Sequence, residues 1–216
     1  MLRNNGFKQP IIRQKTRILR PDEYQKLLDG CPKIEFKTMI QAMLYTGMRY
    51  IELKRFQQHP EWYDGDFIHL PCEASRKVKR KQQERWVRLN NQGRMIIQYF
   101  MKYKKPLPSY QSMSQNLSCW ALRAGFPEAH IRKVKLKNGE IKKLYVCPGM
   151  SVKTFRKSWE SWLMFCHPQS IAMITLSQGH TTLTSLQHYV NMPFTESDRM
   201  EILNYIQGWM PNETRY

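Results

Sequence analysis

Residues 176–190 read Leu176-Ser177-Gln178-Gly179-His180-Thr181-Thr182-Leu183-Thr184-Ser185-Leu186-Gln187-His188-Tyr189-Val190, and this stretch decides the fold. Gly179 and His180 close one helix, since glycine just past a helix end takes the left-handed backbone without a Cβ clash. Thr181 and Thr182 are N-cap residues for a second helix, their hydroxyls able to accept from orphan amides of its first turn. Leu183, Leu186 and Val190 then recur at helical spacing and give that helix an apolar face. Tyr189 falls outside this stripe, beside His188. A Tyr on the solvent side of a packed helix is either a surface residue whose hydroxyl meets water or a group available for chemistry. The rest of the chain decides between the two.

Working outward, Lys153-Thr154-Phe155-Arg156 opens a helix behind Ser151, a plausible N-cap. Lys153 and Arg156 are three apart and share a helix face. Basic groups in a first turn fit phosphate binding, because orphan amides and the helix dipole add to the side chains. Further upstream, Tyr45-Thr46-Gly47-Met48-Arg49-Tyr50-Ile51-Glu52-Leu53 places Arg49 just after a glycine break, with Glu52 three residues on. The plain reading is an Arg49–Glu52 pair, and the functional one is a guanidinium fork presented to a phosphate.

These three segments, in this order, resemble the tyrosine recombinase (phage integrase) family. Its patterns are Thr-Gly-x-Arg-x-x-Glu-Leu, then His-x-x-Arg, then Leu-Gly-His followed by a nucleophilic Tyr nine residues after the His. His180 and Tyr189 have that spacing, and Lys153 stands where the family more often has His. Lys at that place is similar to archaeal and archaeal-virus integrases. The resemblance spans roughly residues 20 to 195.

Charge agrees with a polyanionic partner. Lys and Arg number 35 against 17 Asp and Glu, a formal net charge of +18. A surplus that large governs association rather than fold. Nucleic acid is the first candidate and an anionic membrane surface the second. The five Cys, at 31, 72, 119, 147 and 166, form no Cys-x-x-Cys pair and read as free thiols in a reducing interior. The N-terminus lacks the apolar core of a signal peptide, and no run approaches the ~20 apolar residues that span a bilayer. The expectation is a soluble, intracellular (cytoplasmic) protein that does not engage membranes.

The remaining segments predict one α+β domain, mostly helical with a small antiparallel β-sheet. Residues 1–19 read as a basic arm or linker, and residues 20–216 as the catalytic domain. Helices are expected over about 21–30, 35–45, 49–56, 92–102 and 112–124. Met95, Ile96, Tyr99 and Phe100 form the expected apolar stripe of the fourth of these. Phe67–Leu70 and Arg85–Leu89 read as strands flanking the basic run Ser75–Gln83. Residues 130–147 read as a hairpin insertion turning at Asn138-Gly139, with Lys133, Lys135, Lys137, Lys142 and Lys143 on one face. It tracks DNA backbone or merely stays soluble through its lysines. Phe155, Trp159, Trp162, Leu163 and Phe165 supply core, Pro168 starts a helix with Ile171, Ile174 and Leu176 along it, and residues 195–210 form a C-terminal amphipathic helix with Met200, Ile202, Leu203, Ile206 and Trp209.

The resemblance implies a site-specific recombinase or integrase that cleaves and rejoins DNA through a 3′-phosphotyrosine intermediate, with no metal, ATP or other cofactor. Tyr189 is then the nucleophile, and Arg49 and Arg156 neutralise the phosphate oxygens. His180 hydrogen-bonds the phosphate or Tyr189, and Lys153 stabilises the phosphate. A lysine of the 75–83 run protonates the leaving oxygen; Lys79 is the first choice and Lys81 the alternative. Arg76, Lys77, Arg80, Lys133, Lys135 and Lys137 are the expected DNA-backbone contacts. The implied partners are double-stranded DNA attachment sites and further copies of the chain, as a tetramer on DNA. The C-terminal helix packs on its own domain or is exchanged in trans. With about 20 residues before the catalytic pattern, the chain is either an isolated catalytic domain or a minimal recombinase. Two other readings stand beside this one. A type IB topoisomerase-like enzyme shares the chemistry, and a non-catalytic basic nucleic-acid-binding module explains the charge but not the four spaced residues.

Overall fold

The computed structural model of the chain describes residues 8–74, 84–180 and 192–210. Its centre is α6 (Lys153–Cys166), whose Phe155, Trp159, Trp162 and Leu163 are completely buried. Burying a large apolar side chain is worth about 1.5–3 kcal/mol, so these four alone anchor the domain. Phe165, read as core, is only half-buried and packs from outside against the main cluster. Around α6 lie α1 (Pro21–Asp29), α2 (Ile34–Thr46), α3 (Tyr50–Gln58), α4 (Asn91–Met101) and α5 (Tyr110–Arg123). The chain ends in α7 (Ile171–Gln178) and α8 (Glu196–Ile206). Among the described residues the β structure is three separate two-stranded antiparallel sheets, and the fold is α+β and mostly helical.

Residues 11–19 correct the expectation of an arm. β1 (Ile11–Arg13) pairs with β2 (Thr16–Ile18), and Ile11, Ile18 and Leu19 are buried. The hairpin is bolted to α6: the Leu19 amide donates to Ser158 Oγ at 2.8 Å, and Trp162 Nε1 donates to the Leu19 carbonyl at 2.9 Å. Its turn residues, Gln14 and Lys15, both have positive φ, 47° and 59°. Neither residue type advertises that conformation, so the hairpin gave no turn signal.

The helical stripes differ from expectation in detail. On α4 the buried positions are Gly93, Ile96, Ile97 and Phe100, while Met95 and Tyr99 face solvent. Leu176 on α7 and Met200 on α8 are likewise exposed. α8 is capped by Thr195, whose hydroxyl accepts from the Asp198 amide while the Asp198 carboxylate accepts from the Thr195 amide. It packs on its own chain through Ile202, Ile206 and the buried Trp209, whose Nε1 donates to the Arg88 carbonyl at 3.2 Å.

β3 (Phe67–Leu70) and β4 (Arg85–Arg88) pair antiparallel, and the basic run lies between them in sequence. The insertion forms β5 (His130–Lys135) and β6 (Ile141–Val146), turning at Asn138-Gly139 with Gly139 at φ 85°. Register corrects the expected lysine face. Lys133 opposes Lys143 and Lys135 opposes Ile141 on one face, whereas Lys142 opposes Val134 on the other.

Candidate active site

Gly47 ends α2 in the left-handed conformation, φ 57°, with its amide donating to the Leu44 carbonyl at 3.0 Å. The chain turns sharply there and delivers Arg49 as the N-cap residue of α3. The Glu52 carboxylate accepts from the Arg49 amide at 2.7 Å and from its guanidinium Nη1 at 2.7 Å. Glu52 is fully buried, yet about a third of the Arg49 side chain is exposed (35%), so its guanidinium is accessible while being held.

Arg85 of β4 grips the same carboxylate from the other side, Nη1 to Oε1 at 3.0 Å and Nη2 to Oε2 at 2.7 Å. Its Nε donates to the Ser177 carbonyl at the end of α7. Burial alone would raise the Glu52 pKa, but Arg85, with Arg156 and Arg49 behind it, overrides that and holds the carboxyl well below its usual range. Burial pulls the Arg85 guanidinium down, and Glu52 offsets only part of that.

Arg156 projects from the first turn of α6 and is held on three sides. Nη1 donates to the Gly47 carbonyl at 3.0 Å, Nη2 donates to the Gln178 carbonyl, and Nε pairs with the fully buried Glu160 at 2.9 Å. His180 Nε2 lies 2.8 Å from the same Glu160 oxygen and 3.5 Å from Arg156 Nη2. Gly179 makes this approach possible. Its φ is 66°, and a Cβ there would sit 2.7 Å from Arg85 Cδ, so no other residue fits without displacing the arginine.

The fold therefore brings Arg49, Arg156 and His180 together in two adjacent hydrogen-bonded clusters, Arg49–Glu52–Arg85 and Arg156–Glu160–His180, with Arg156 near enough to help hold down the Glu52 pKa. Lys153 is exposed on the same first turn as Arg156, and among the described residues its side chain joins neither cluster. Tyr189, Lys79, Lys81, Arg76, Lys77 and Arg80 lie outside the described residues. Lys133, Lys135 and Lys137 are exposed on the insertion hairpin. Sequence reading missed three participants: Arg85, Glu160 and Gln178. Glu160 is four residues after Arg156, the spacing of a helical ion pair, and could have been found that way. Gln178 stands where the Leu-Gly-His pattern has Leu. Arg85 had no such mark, because a basic residue opening a strand reads as surface.

Chemically, two guanidinium forks on orienting carboxylates suit a phosphodiester, whose non-bridging oxygens match their planar donors. Among the described residues no group of three or more His, Cys, Asp or Glu could hold a metal ion. Among them, too, no helix is long and apolar enough to cross a membrane.

No family model and no curated protein matches the chain. In fold, it is similar to the crystal structure of XerA recombinase, with TM-score 0.57 and 15% identity, covering 95% of this chain and 68% of that one. It is also similar to the Tn1549 transposon integrase solved in complex with circular intermediate DNA, with TM-score 0.57 and 14% identity, covering 89% of this chain and 68% of that one.

Proposed function

We propose that the protein is a tyrosine recombinase, cleaving and rejoining DNA strands through a covalent phosphotyrosine. The observation that carries this reading is the convergence of Arg49, Arg156 and His180, from three distant segments, on two adjacent clusters, each ordered by a buried carboxylate. The fold shared with two solved recombinase and integrase structures supports it.

In this reading the Tyr189 oxygen, its proton passing to water, attacks the scissile phosphorus. A P–O(Tyr) bond forms, the P–O5′ bond breaks, and a 3′-phosphotyrosine remains. Arg49 and Arg156 stabilise the charge that builds on the non-bridging oxygens. Glu52 and Glu160 keep both guanidiniums aimed without themselves meeting DNA. His180, held by Glu160, hydrogen-bonds the phosphate or Tyr189. Lys153 donates to the phosphate, where the family more often has a His that could accept a proton. Lys79, or Lys81, supplies the proton to the leaving 5′-oxygen. Bond energy is kept in the phosphotyrosine, so rejoining needs no ATP. The partner is double-stranded DNA, with Arg76, Lys77, Arg80, Lys133, Lys135 and Lys137 on its backbone, and recombination takes place in a tetramer of this chain on paired sites, in the manner of an archaeal or archaeal-virus integrase inside the host cell. The C-terminal helix either stays on its own domain or crosses to a neighbour there.

The test is a duplex nicked beside the cleavage point, so that cleavage loses the short 5′ fragment and traps the adduct. Wild type gives a covalent protein–DNA band on a denaturing gel with chelator and without ATP. Absence of the band, with salt-sensitive DNA binding intact, leaves the non-catalytic module. Relaxation of supercoils without exchange between paired sites selects the topoisomerase-like alternative.

A further inference from the structure

Gln178 closes α7 with a buried carboxamide. The residue is 1% exposed, and neither Nε2 nor Oε1 is hydrogen-bonded among the described residues. Its backbone, by contrast, is in use, because the carbonyl holds Arg156 Nη2. The carboxamide lies flat over Gly47. A Cβ placed on that glycine would be 2.5 Å from Oε1, 2.8 Å from Nε2 and 2.9 Å from Cδ, near-equal distances that describe a planar group seen face-on. Gly47 is the turn that delivers Arg49, and its carbonyl is the second anchor of Arg156. The amide is thus wedged between the supports of both arginines.

Burying a carboxamide with both ends unsatisfied is costly, and Leu or Met would fill the same space without that cost. A group retained at such a cost beside a functional site calls for a chemical reason. We propose that Gln178 is a substrate-contacting group. Its Nε2 donates to a non-bridging oxygen of the phosphodiester held by Arg49 and Arg156, and the bond missing in the free protein is made on DNA. This rests on the DNA-cleaving reading given above. A neutral donor suits the place, since Arg49, Arg85 and Arg156 already crowd it with positive charge. Access requires the Gly47 turn that covers the amide to shift on DNA, while Glu52 keeps its hold on Arg49.

The experiment compares full-length wild type with Gln178→Leu, Gln178→Met and Gln178→Glu. It measures Tm, duplex affinity and the single-turnover rate of adduct formation on the nicked duplex. The Leu and Met variants are expected to melt at least about 2 °C higher, because an unsatisfied amide has gone. On saturating duplex they form adduct at least ~10-fold more slowly, the sign of a missing donor to the reacting phosphate. Glu at this position repels the phosphate and slows the step further. A Leu variant with raised Tm and wild-type rate overturns the proposal, as does one whose Tm and rate fall together, which marks a structural amide satisfied in the free protein. If wild type itself forms no adduct, the DNA-cleaving reading fails and takes this inference with it. An adduct in wild type and an equal rate in the Leu variant removes Gln178 alone.

Discussion

Glu52 and Glu160 aim the arginines of the site, and both are fully buried. Removing one partner of a buried pair leaves uncompensated charge, so Glu52→Gln should cost about 3–5 kcal/mol in urea unfolding. The pH dependence follows from the lowered Glu52 pKa. Its stabilising contribution is present above the ordinary carboxylate pKa and is lost as pH falls below that range. Wild type should therefore lose stability relative to Glu52→Gln on acidification, and a constant difference across that range would contradict the assignment. Arg49→Ala and Arg156→Ala should each slow adduct formation on the order of 10²–10³-fold. Arg49→Ala, at the more exposed position, should leave the fold intact by circular dichroism. That Arg49, Arg156 and His180 come near one another was legible because each carries a local mark, a glycine break, a first turn and a helix stop. Arg85 was not, because its role exists only once β4 packs against the end of α7.

Among the elements, the described residues that follow the Tyr189 segment in sequence, Met192–Thr195, are firmly anchored. Arg20 Nη2 donates to the Pro193 carbonyl at 2.8 Å, and Nη1 pairs with Asp198 at 2.5 Å. Lys8 adds a second cation to Asp198 at 2.9 Å. Burial would raise the Asp198 pKa, but the Thr195 amide, Lys8, the Thr195 hydroxyl and Arg20 together hold it low. Asp198→Ala removes the reciprocal half of the Thr195 capping box and the pair with buried Arg20. It should destabilise by about 3 kcal/mol or more in chemical denaturation and lower the yield of adduct. Unchanged stability would show that the latch carries no energy. The long helices were readable from periodicity, and the 130–147 hairpin from its Asn-Gly turn. The 11–18 hairpin was hidden by three-residue strands and a Gln-Lys turn, and the α4 stripe was misread by one helical step, since Ile97 rather than Tyr99 meets the core.

For the whole molecule, the net charge is +18, and the exposed lysines of the insertion hairpin contribute to it. Replacing Lys133, Lys135 and Lys137 by Gln should weaken DNA binding and lower the slope of log affinity against log salt by roughly one for each phosphate no longer neutralised. Tm should not change, because all three side chains are exposed. An unaltered slope would make the hairpin a solubility device. Composition fits the proposed polyanionic partner, and three spaced motifs announced the α+β fold. Packing of α8 on its own chain lay beyond both, since an amphipathic helix does not reveal which surface covers it. The most direct test of the central claim is to trap the adduct on a nicked duplex, digest both components and locate the nucleotide-bearing peptide by mass spectrometry. The account predicts a phosphodiester on Tyr189 and none in Tyr189→Phe. Attachment to any other residue, or an adduct that survives the Phe substitution, would contradict it.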